Sequence, residues 1–232
     1  MADRFPETLA QLKALSNEEN RQGMARFGID ISTALGIKVT TLRKLGKEIG
    51  RDHSLAQSLW DSGFHEARML ATIIDVPDQV TESQLEKWVQ DLNSWDLTDG
   101  FTGNLVDKTK FAYPKAIEWS QREPEFEKRS GFALMAWLPI HDKQAPDAKF
   151  DQFFPLCERE ARDDRIYVKK AVSWALRNMG KRSVELSKKA IEAAQRIADQ
   201  KSKSAKWIAS DVLRELNSEK IQARLANKNA KK

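Results

Sequence analysis

Four amphipathic helical segments follow one another in FDQFFPLCEREARDDRIYVKKAVSWALRNMGKRSVELSKKAIEAAQRIADQKSKSAKWIASDVLREL (residues 150–216). Apolar residues recur at helical spacing inside each segment, and short polar breaks separate the segments. They form two helix–turn–helix pairs, 150–161 with 166–179 and 184–198 with 204–216. One such pair cannot bury its apolar face alone, so the pattern predicts a stack of helical pairs.

The same pattern continues toward the N-terminus. Single amphipathic segments occur around residues 9–15 and over residues 41–49. They are followed by three further helix–turn–helix pairs, 55–60 with 65–74, 82–93 with 97–109 and 113–121 with 125–138. Several second helices carry a basic residue near their start, at intervals of 61, 41 and 36 residues: Arg68, Arg129, Lys170 and Lys206. Two-helix units of about 30 to 40 residues are typical of HEAT-like or armadillo-like repeats.

We therefore predict an all-α fold, a right-handed superhelical solenoid of HEAT-like or armadillo-like helical repeats. The scarcity of glycine (10) and proline (7) among 232 residues agrees with long helices. Stacked pairs share one continuous core, so we expect a single domain over residues 1–232. The last residues, from about 222 to 232, have the composition of a disordered basic tail.

Several classes of function are disfavoured by composition. The single cysteine, Cys157, allows no intrachain disulfide and no Cys/His zinc site, which suits a reducing cytoplasm. No apolar run approaches the roughly 18 residues of a membrane span, and the N-terminus lacks the apolar core of a signal peptide. We expect a cytoplasmic protein with no membrane partner, no metal and no organic cofactor, and we interpret His53, His65 and His141 as surface or structural residues.

The charge is unevenly distributed along the chain. Residues 157–232 hold 20 Lys+Arg against 10 Asp+Glu, whereas residues 1–156 hold 19 against 24, although the whole chain is only +5. A basic pole attracts polyanions, and both nucleic acid and an acidic membrane qualify. Stacking would align the basic residues of the second helices as a stripe on one concave wall, although each of them taken singly can also be a solvated side chain.

The densest candidate for chemistry is NSWDLTDG (residues 93–100), at the junction of two predicted helices. We predict Asp96 to be an N-cap, whose carboxylate accepts backbone N–H groups of the first turn. Asp99 follows near the helix N-terminus, where the helix dipole favours an ionised carboxylate. Beside Trp95, such a carboxylate can stabilise a positively charged sugar or orient water. The helical spacing of Trp174 by itself predicts a core residue.

Three motifs together resemble a known family. They are WDLTD at 95–99, the helical Arg129, and KAVSWALR at 170–177, and the early Leu35-Gly36-Ile37 followed by Arg43 also fits. In order and spacing they are similar to the AlkD-type DNA alkylation repair family, HEAT-like-repeat DNA glycosylases that remove cationic N3- or N7-alkylated purines. The resemblance spans residues 35–216.

The resemblance implies a monomeric, monofunctional DNA-alkylpurine glycosylase acting on duplex DNA with an alkylated purine. Its catalytic positions are Asp99, Trp95, Trp174 and Arg129. Such an enzyme leaves the damaged base stacked, presses its aromatics against the deoxyribose and holds a backbone phosphate with the arginine. The remaining basic positions are predicted to contact DNA: Arg43, Arg68, Lys169, Lys170, Arg177 and Lys206.

Two other functions fit parts of the same pattern. A non-catalytic HEAT-repeat protein could bind bent or branched DNA through the same wall. A protein-binding solenoid could offer the stripe to an acidic partner, but a carboxylate in the middle of the stripe argues against a peptide groove. The sequence leaves open which alkylated purine is preferred and how large an adduct is tolerated.

Overall fold

The computed structural model describes residues 4–229, which form α-helices and short 3₁₀ turns without a β-strand in that range. The predicted all-α class is confirmed. The chain divides into two compact units, Met1–Phe111 and Ala112–Lys232. The single domain expected over residues 1–232 stays a prediction.

The first unit contains seven helices within its described residues: α1 Phe5–Ala14, α2 Glu18–Ala25, α3 Val39–Ile49, α4 His53–Asp61, α5 His65–Ile74, α6 Glu82–Gln90 and α7 Trp95–Asn104. Helix α5 packs against α3, α4 and α7, and α1 packs on α4 and α5. Between them, the rings of Trp60 and Trp88 stack 4.0 Å apart, and Phe101 lies 5.7 Å from Trp60. All three aromatic side chains are fully buried, so they join α4, α6 and α7 in one core.

Polar caps set where these helices begin. The Asn17 side chain accepts from the Asn20 N–H at 2.8 Å at the start of α2, and Asp52 accepts from the Leu55 N–H at 3.0 Å at the start of α4. Helix α2 was not expected from the sequence. It has no buried residue, so it lacks the apolar periodicity from which the other helices were predicted.

The loop that leads into α3 is held by one carboxylate. Glu66 is buried in α5 and accepts the backbone N–H groups of Leu35 at 2.7 Å, Gly36 at 2.7 Å and Ile37 at 3.1 Å. Gly36 has a φ of 78°, and a Cβ there would overlap the Asn17 carbonyl oxygen. The loop therefore needs both the buried acid and a glycine.

The second unit also contains seven helices within its described residues: α8 Ala112–Trp119, α9 Glu125–His141, α10 Phe154–Glu160, α11 Ile166–Gly180, α12 Val184–Ala198, α13 Lys203–Leu216 and α14 Glu219–Asn229. Helices α8 and α9, α10 and α11, and α12 and α13 form three successive pairs. The second helices contact one another in order, α9 with α11 and α11 with α13. This is the repeat packing predicted from the sequence.

The expected disordered tail needs correction. From residue 219 the chain forms α14, whose Ile221 and Leu225 are 8% and 2% exposed and lie on a helix that packs against α12 and α13. These two residues stand four positions apart and give the segment an apolar side, which anchors it. Residues 230–232 of the predicted tail lie outside the described residues.

Helices α11 and α13 make a regular set of contacts. The Ser173 hydroxyl donates to Asp211 Oδ2 at 2.7 Å, and Arg177 pairs with Glu215, each contact joining residues 38 positions apart. One turn earlier, Lys169 lies over the ring of Trp207, 5.4 Å from its centroid, with the same offset. Because all three contacts advance in the same direction on both helices, α11 and α13 run parallel. We call these contacts the α11–α13 ladder.

Candidate functional site

Trp95 is the first residue of α7 and is half-buried. Its indole Nε1–H donates to the carbonyl oxygen of Phe27 at 3.0 Å. The first turn below it is closed by the Thr98 hydroxyl, which donates to the Ser94 carbonyl at 2.7 Å. The indole is thus fixed at its edge while part of the ring stays accessible.

Asp96 is not the N-cap that the sequence predicted. Ser94 occupies the cap position and the helix starts at Trp95, so Asp96 is the second helical residue. Its Oδ2 instead lies 2.9 Å from Nε2 of His65, which is 4% exposed. The position of Asp96 in the sequence suggested an N-cap, but its carboxylate contacts His65 from the preceding helical pair instead.

The His65–Asp96 contact is an ion pair in a mostly buried position. Burial opposes the charge on both groups, but the mutual hydrogen bond and opposite charges outweigh it. The pKa of Asp96 therefore lies below its usual 3.8 and the pKa of His65 above its usual 6.5. This pair joins the first residue of α5 to the first turn of α7.

Asp99 lies four residues after Trp95 on α7, so both side chains leave the same face of the helix. Asp99 is half-buried, and its backbone carbonyl accepts from the Thr102 hydroxyl at 3.3 Å. An indole and a carboxylate therefore stand one helical turn apart on α7, and their joint role stays a prediction.

A cleft of about 650 Å³ opens beside Trp95 in the first unit. Its walls are largely apolar and include Met24, Phe27 and Met69, with Arg26 and Lys38 among its other lining residues. The Phe27 side chain is 70% exposed although its carbonyl holds Trp95. The sequence did not predict the role of Phe27, because its contact with Trp95 is made by the backbone carbonyl and does not depend on the type of side chain.

Arg129 and Trp174 lie in the second unit, where α9 meets α11. Arg129 is 5% exposed and its Nη1 donates to the Tyr167 carbonyl at 2.7 Å. Trp174 is half-buried, and its ring meets that of Trp137 edge-on, with centroids 4.9 Å apart and planes at 82°. The expectation that Trp174 is a core residue is wrong. Lys170, one turn earlier on the same face of α11, is exposed, so this face of the helix reaches the surface.

The predicted DNA-contacting residues fall into two groups. Arg68 donates to the carbonyl oxygens of Trp60 at 3.3 Å and Asp91 at 3.0 Å and pairs with the Asp91 carboxylate. Arg177 pairs with Asp211 and Glu215. The N–H donors of these two arginines are used in contacts within the protein. Arg68 and Arg177 are therefore not part of the proposed DNA-binding surface.

The other basic positions keep their charge at the surface. Among the described residues, three of them are exposed and form no ion pair: Arg43, Lys170 and Lys206. Lys169 is half-buried against Trp207. All four sit in the N-terminal halves of α3, α11 or α13. The stripe inferred from sequence thus contains both structural arginines and uncompensated lysines.

Other expectations concern metals, membranes and the remaining histidines. Within residues 4–229, no three His, Cys, Asp or Glu side chains cluster as a metal site, and no helix has the length and apolar character of a membrane span. His53 Nδ1 lies 2.6 Å from Asp75 Oδ1, and the His141 ring stacks on Trp137 with centroids 4.9 Å apart. Both histidines therefore have structural partners.

Helical pairs with second helices in succession define a HEAT-like-repeat protein, and comparison with solved structures agrees. One solved chain superposes with a TM-score of 0.75 over 91% of this chain and 94% of its own, at 20% identity. It is described as "a new family of proteins related to the HEAT-like repeat DNA glycosylases with affinity for branched DNA structures". At that identity the likeness establishes the fold.

The sequence profile described as "DNA alkylation repair enzyme" matches residues 8–216, and the chain belongs to this family. A protein of Listeria innocua serovar 6a, "Uncharacterized protein Lin0241", is 26% identical over 149 residues. That match covers 62% of this chain and 65% of the relative's length.

Proposed function

We propose that this protein is a DNA glycosylase that excises cationic N3- or N7-alkylated purines from duplex DNA without flipping the base. The observation that carries the proposal is the Trp95–Asp99 face of α7, where a carboxylate stands one turn from an indole anchored through the Phe27 carbonyl. Membership of the DNA alkylation repair family supports the same reaction.

The chemistry needs little from the leaving group. An alkylated purine already carries a positive charge, so when the bond between C1′ and the base nitrogen breaks, the electron pair stays with the purine and neutralises it. The barrier is the positive charge that grows on the sugar. Indole faces attract that charge through cation–π contact, and the Asp99 carboxylate stabilises it electrostatically. Water oriented by Asp99 then adds to C1′ and passes a proton to the surrounding solvent.

Trp174 and Arg129 have supporting roles in this proposal. Trp174 offers a second indole to the sugar, and its edge-on contact with Trp137 restrains the ring. Arg129 holds a backbone phosphate, with its guanidinium oriented by the hydrogen bond to the Tyr167 carbonyl. The common role of the four side chains is part of the proposal and rests on their match to the family pattern.

A second candidate function is binding of branched DNA without catalysis. The observation in its favour is the solved relative, which is related to glycosylases and is described by its affinity for branched DNA. The exposed Lys170 and Lys206 would serve such binding equally well, because phosphate contacts do not depend on a reaction. A four-way junction should then bind more tightly than a duplex of the same length.

One assay separates the two functions. Release of N7-methylguanine, N3-methyladenine and uracil from matched duplexes is measured for wild type, Asp99→Asn and Asp61→Asn, the last altering an exposed acid paired with Lys87. We expect wild type and Asp61→Asn to release both cationic purines and leave uracil. Asp99→Asn should lose most excision but still bind DNA, because its charge is needed mainly as the bond breaks.

Two outcomes would contradict the proposal in different ways. Tight binding by wild type without release of any base would favour the non-catalytic function. Equal release by wild type and Asp99→Asn would leave an enzyme in which another group stabilises the sugar.

A further inference from the structure

Trp207 is placed unlike the other tryptophans. Of the seven in the chain, all within the described residues, Trp60, Trp88 and Trp119 are fully buried and Trp95, Trp137 and Trp174 are half-buried. Trp207 is 41% exposed, on the first turns of α13. An indole of this size left open to solvent on a rigid helix is a common feature of binding surfaces.

The residues around Trp207 are basic and uncompensated. Lys169 lies over its ring, 5.4 Å from the centroid, and Lys203 and Lys206 stand one turn and one residue before it on α13. Lys170 is adjacent to Lys169 on α11. Among the described residues these four lysines form no ion pair. We call Lys169, Lys170, Lys203, Lys206 and Trp207 the lysine–tryptophan patch.

Charge is distributed differently farther along the α11–α13 ladder. Arg177 and Lys181 both pair with Glu215, and Asp211 adds a second acid beside Arg177. The acids of α13 thus neutralise the C-terminal half of the ladder, whereas the patch at its N-terminal end keeps its positive charge. The acids of this seam lie one and two turns after Trp207 on α13, and both pair with other cations, Asp211 with Arg177 and Glu215 with Arg177 and Lys181.

We propose that the lysine–tryptophan patch grips the sugar–phosphate backbone of duplex DNA outside the damaged nucleotide, with Trp207 packed on a deoxyribose and Lys169 and Lys206 on the flanking phosphates. The alternation of anionic phosphate and apolar sugar matches the alternation of ammonium and indole in the patch. This inference rests on the DNA-binding part of the proposed function and not on its chemistry.

Lys169 prepares the ring for this contact. Its ammonium over the indole restrains both side chains before DNA arrives, so less rotamer freedom is lost on binding. Because the contact is made to sugar and phosphate, it should be independent of base sequence and of damage.

The test measures the Kd of wild type, Trp207→Ala and Trp207→Phe for an undamaged duplex at several salt concentrations. We expect Trp207→Ala to bind about tenfold more weakly, a change of about 1.4 kcal/mol, with partial recovery in Trp207→Phe. The salt slope should stay that of wild type in both variants, because no charge is removed. Lys206→Ala should instead flatten the slope.

The matched control is Ile140→Ala, which truncates an apolar side chain of similar exposure, 43%, on α9. Its Kd should equal that of wild type. Circular dichroism and the melting temperature verify that each variant is folded. If Trp207→Ala unfolds, the proposal is tested with Trp207→Phe and Lys169→Met instead. The Kd of each of these variants for the duplex should exceed that of wild type.

A Kd of folded Trp207→Ala within twofold of wild type would overturn the proposal. So would a loss of binding to phosphatidylserine vesicles by Trp207→Ala while duplex binding is retained, since the patch would then serve a membrane. Because the duplex carries no lesion, absence of excision by wild type would refute the glycosylase proposal and leave this one standing.

Discussion

The Nε2 atom of His65 lies 2.9 Å from Oδ2 of Asp96, so one ion pair connects α5 to the residue that follows Trp95. The contact joins two consecutive helical pairs at the N-terminal ends of their second helices. Both groups are mostly buried, so removal of either should lower the stability of the first unit.

This pair predicts a pH-dependent stability. The pKa of His65 is raised in the folded state, so its contribution is complete below its usual 6.5 and disappears as pH rises through the folded value. The pKa of Asp96 is lowered, so its contribution is present above its usual 3.8 and disappears as pH falls through the folded value. The melting temperature of wild type should exceed that of His65→Gln most between these two values, and the difference should shrink at alkaline pH.

Thermal unfolding of both proteins from acidic to alkaline pH measures this difference. The control compares Asp96→Asn with the double variant His65→Gln/Asp96→Asn, where the difference should no longer shrink at alkaline pH, because without Asp96 the burial of His65 opposes its charge. A difference that grows as pH rises above 6.5 would show that the sign assigned to His65 is wrong.

Glu66 should contribute more to the free energy of unfolding than an acid at the surface. Glu66→Gln turns one acceptor of the three backbone N–H groups into a donor that faces another donor. We expect it to lower the free energy of unfolding by about 1 to 3 kcal/mol, the cost of an unsatisfied buried group. The control Glu48→Gln, on the exposed side of α3, should change it by less than about 0.5 kcal/mol. Chemical denaturation measures both, and equal effects would contradict the role given to Glu66.

Gly36 and Gly50 allow two costs of replacing glycine to be measured separately, backbone strain and steric overlap of the new Cβ. Both have a positive φ, 78° and 80°, but only at Gly36 would a Cβ meet other atoms. Gly50, whose ψ is −164°, lies in a backbone region that is essentially restricted to glycine, so Gly50→Ala should cost about 1 to 3 kcal/mol through backbone strain alone. Gly36→Ala should cost clearly more, since the Asn17 carbonyl must move. Urea unfolding of the two variants gives the comparison, and a smaller effect at Gly36 would refute the packing argument.

The salt dependence of DNA affinity should identify the uncompensated lysines. A lysine that binds one phosphate adds about 0.9 to the slope of log K against log salt, so Lys170→Ala and Lys206→Ala should each flatten the slope by that amount. Lys181→Ala, at the C-cap of α11, is the matched control, because Glu215 already neutralises that ammonium at 2.7 Å. An equal change in all three variants would mean that the Glu215 pairing does not distinguish Lys181 from the surface lysines.

Apolar periodicity predicted the helices with buried faces well, with α5 and α12 matching the expected bounds 65–74 and 184–198. It failed for α2, which buries nothing, and for α14, where two apolar residues among many charges resembled a tail. Periodicity reports burial, so it cannot find a helix that is held mainly by its caps and neighbours.

Side-chain roles were less predictable than helices. Arg68 and Lys170 occupy equivalent places in their helices, yet Arg68 is bound by Asp91 and Lys170 has no acid partner among the described residues. An aspartate follows the first helix of the next pair in both cases, Asp91 after α6 and Asp199 after α12, but only Asp91 pairs with the basic residue. Asp96 was misassigned for a related reason, because His65 stands 31 residues away. The catalytic roles of Asp99, Trp95, Trp174 and Arg129 remain predictions.

The constant 38-residue offset of the α11–α13 ladder bears on how the chain folds. The same separation joins Arg196 to Glu158 and Lys189 to Asp151, on the first helices of the pairs and the turn before them. The α12–α13 pair therefore closes contacts of one modest length onto the α10–α11 pair, at nearly the same entropic cost for each contact. Such local contacts favour fast, stepwise growth from any nucleus along the second unit.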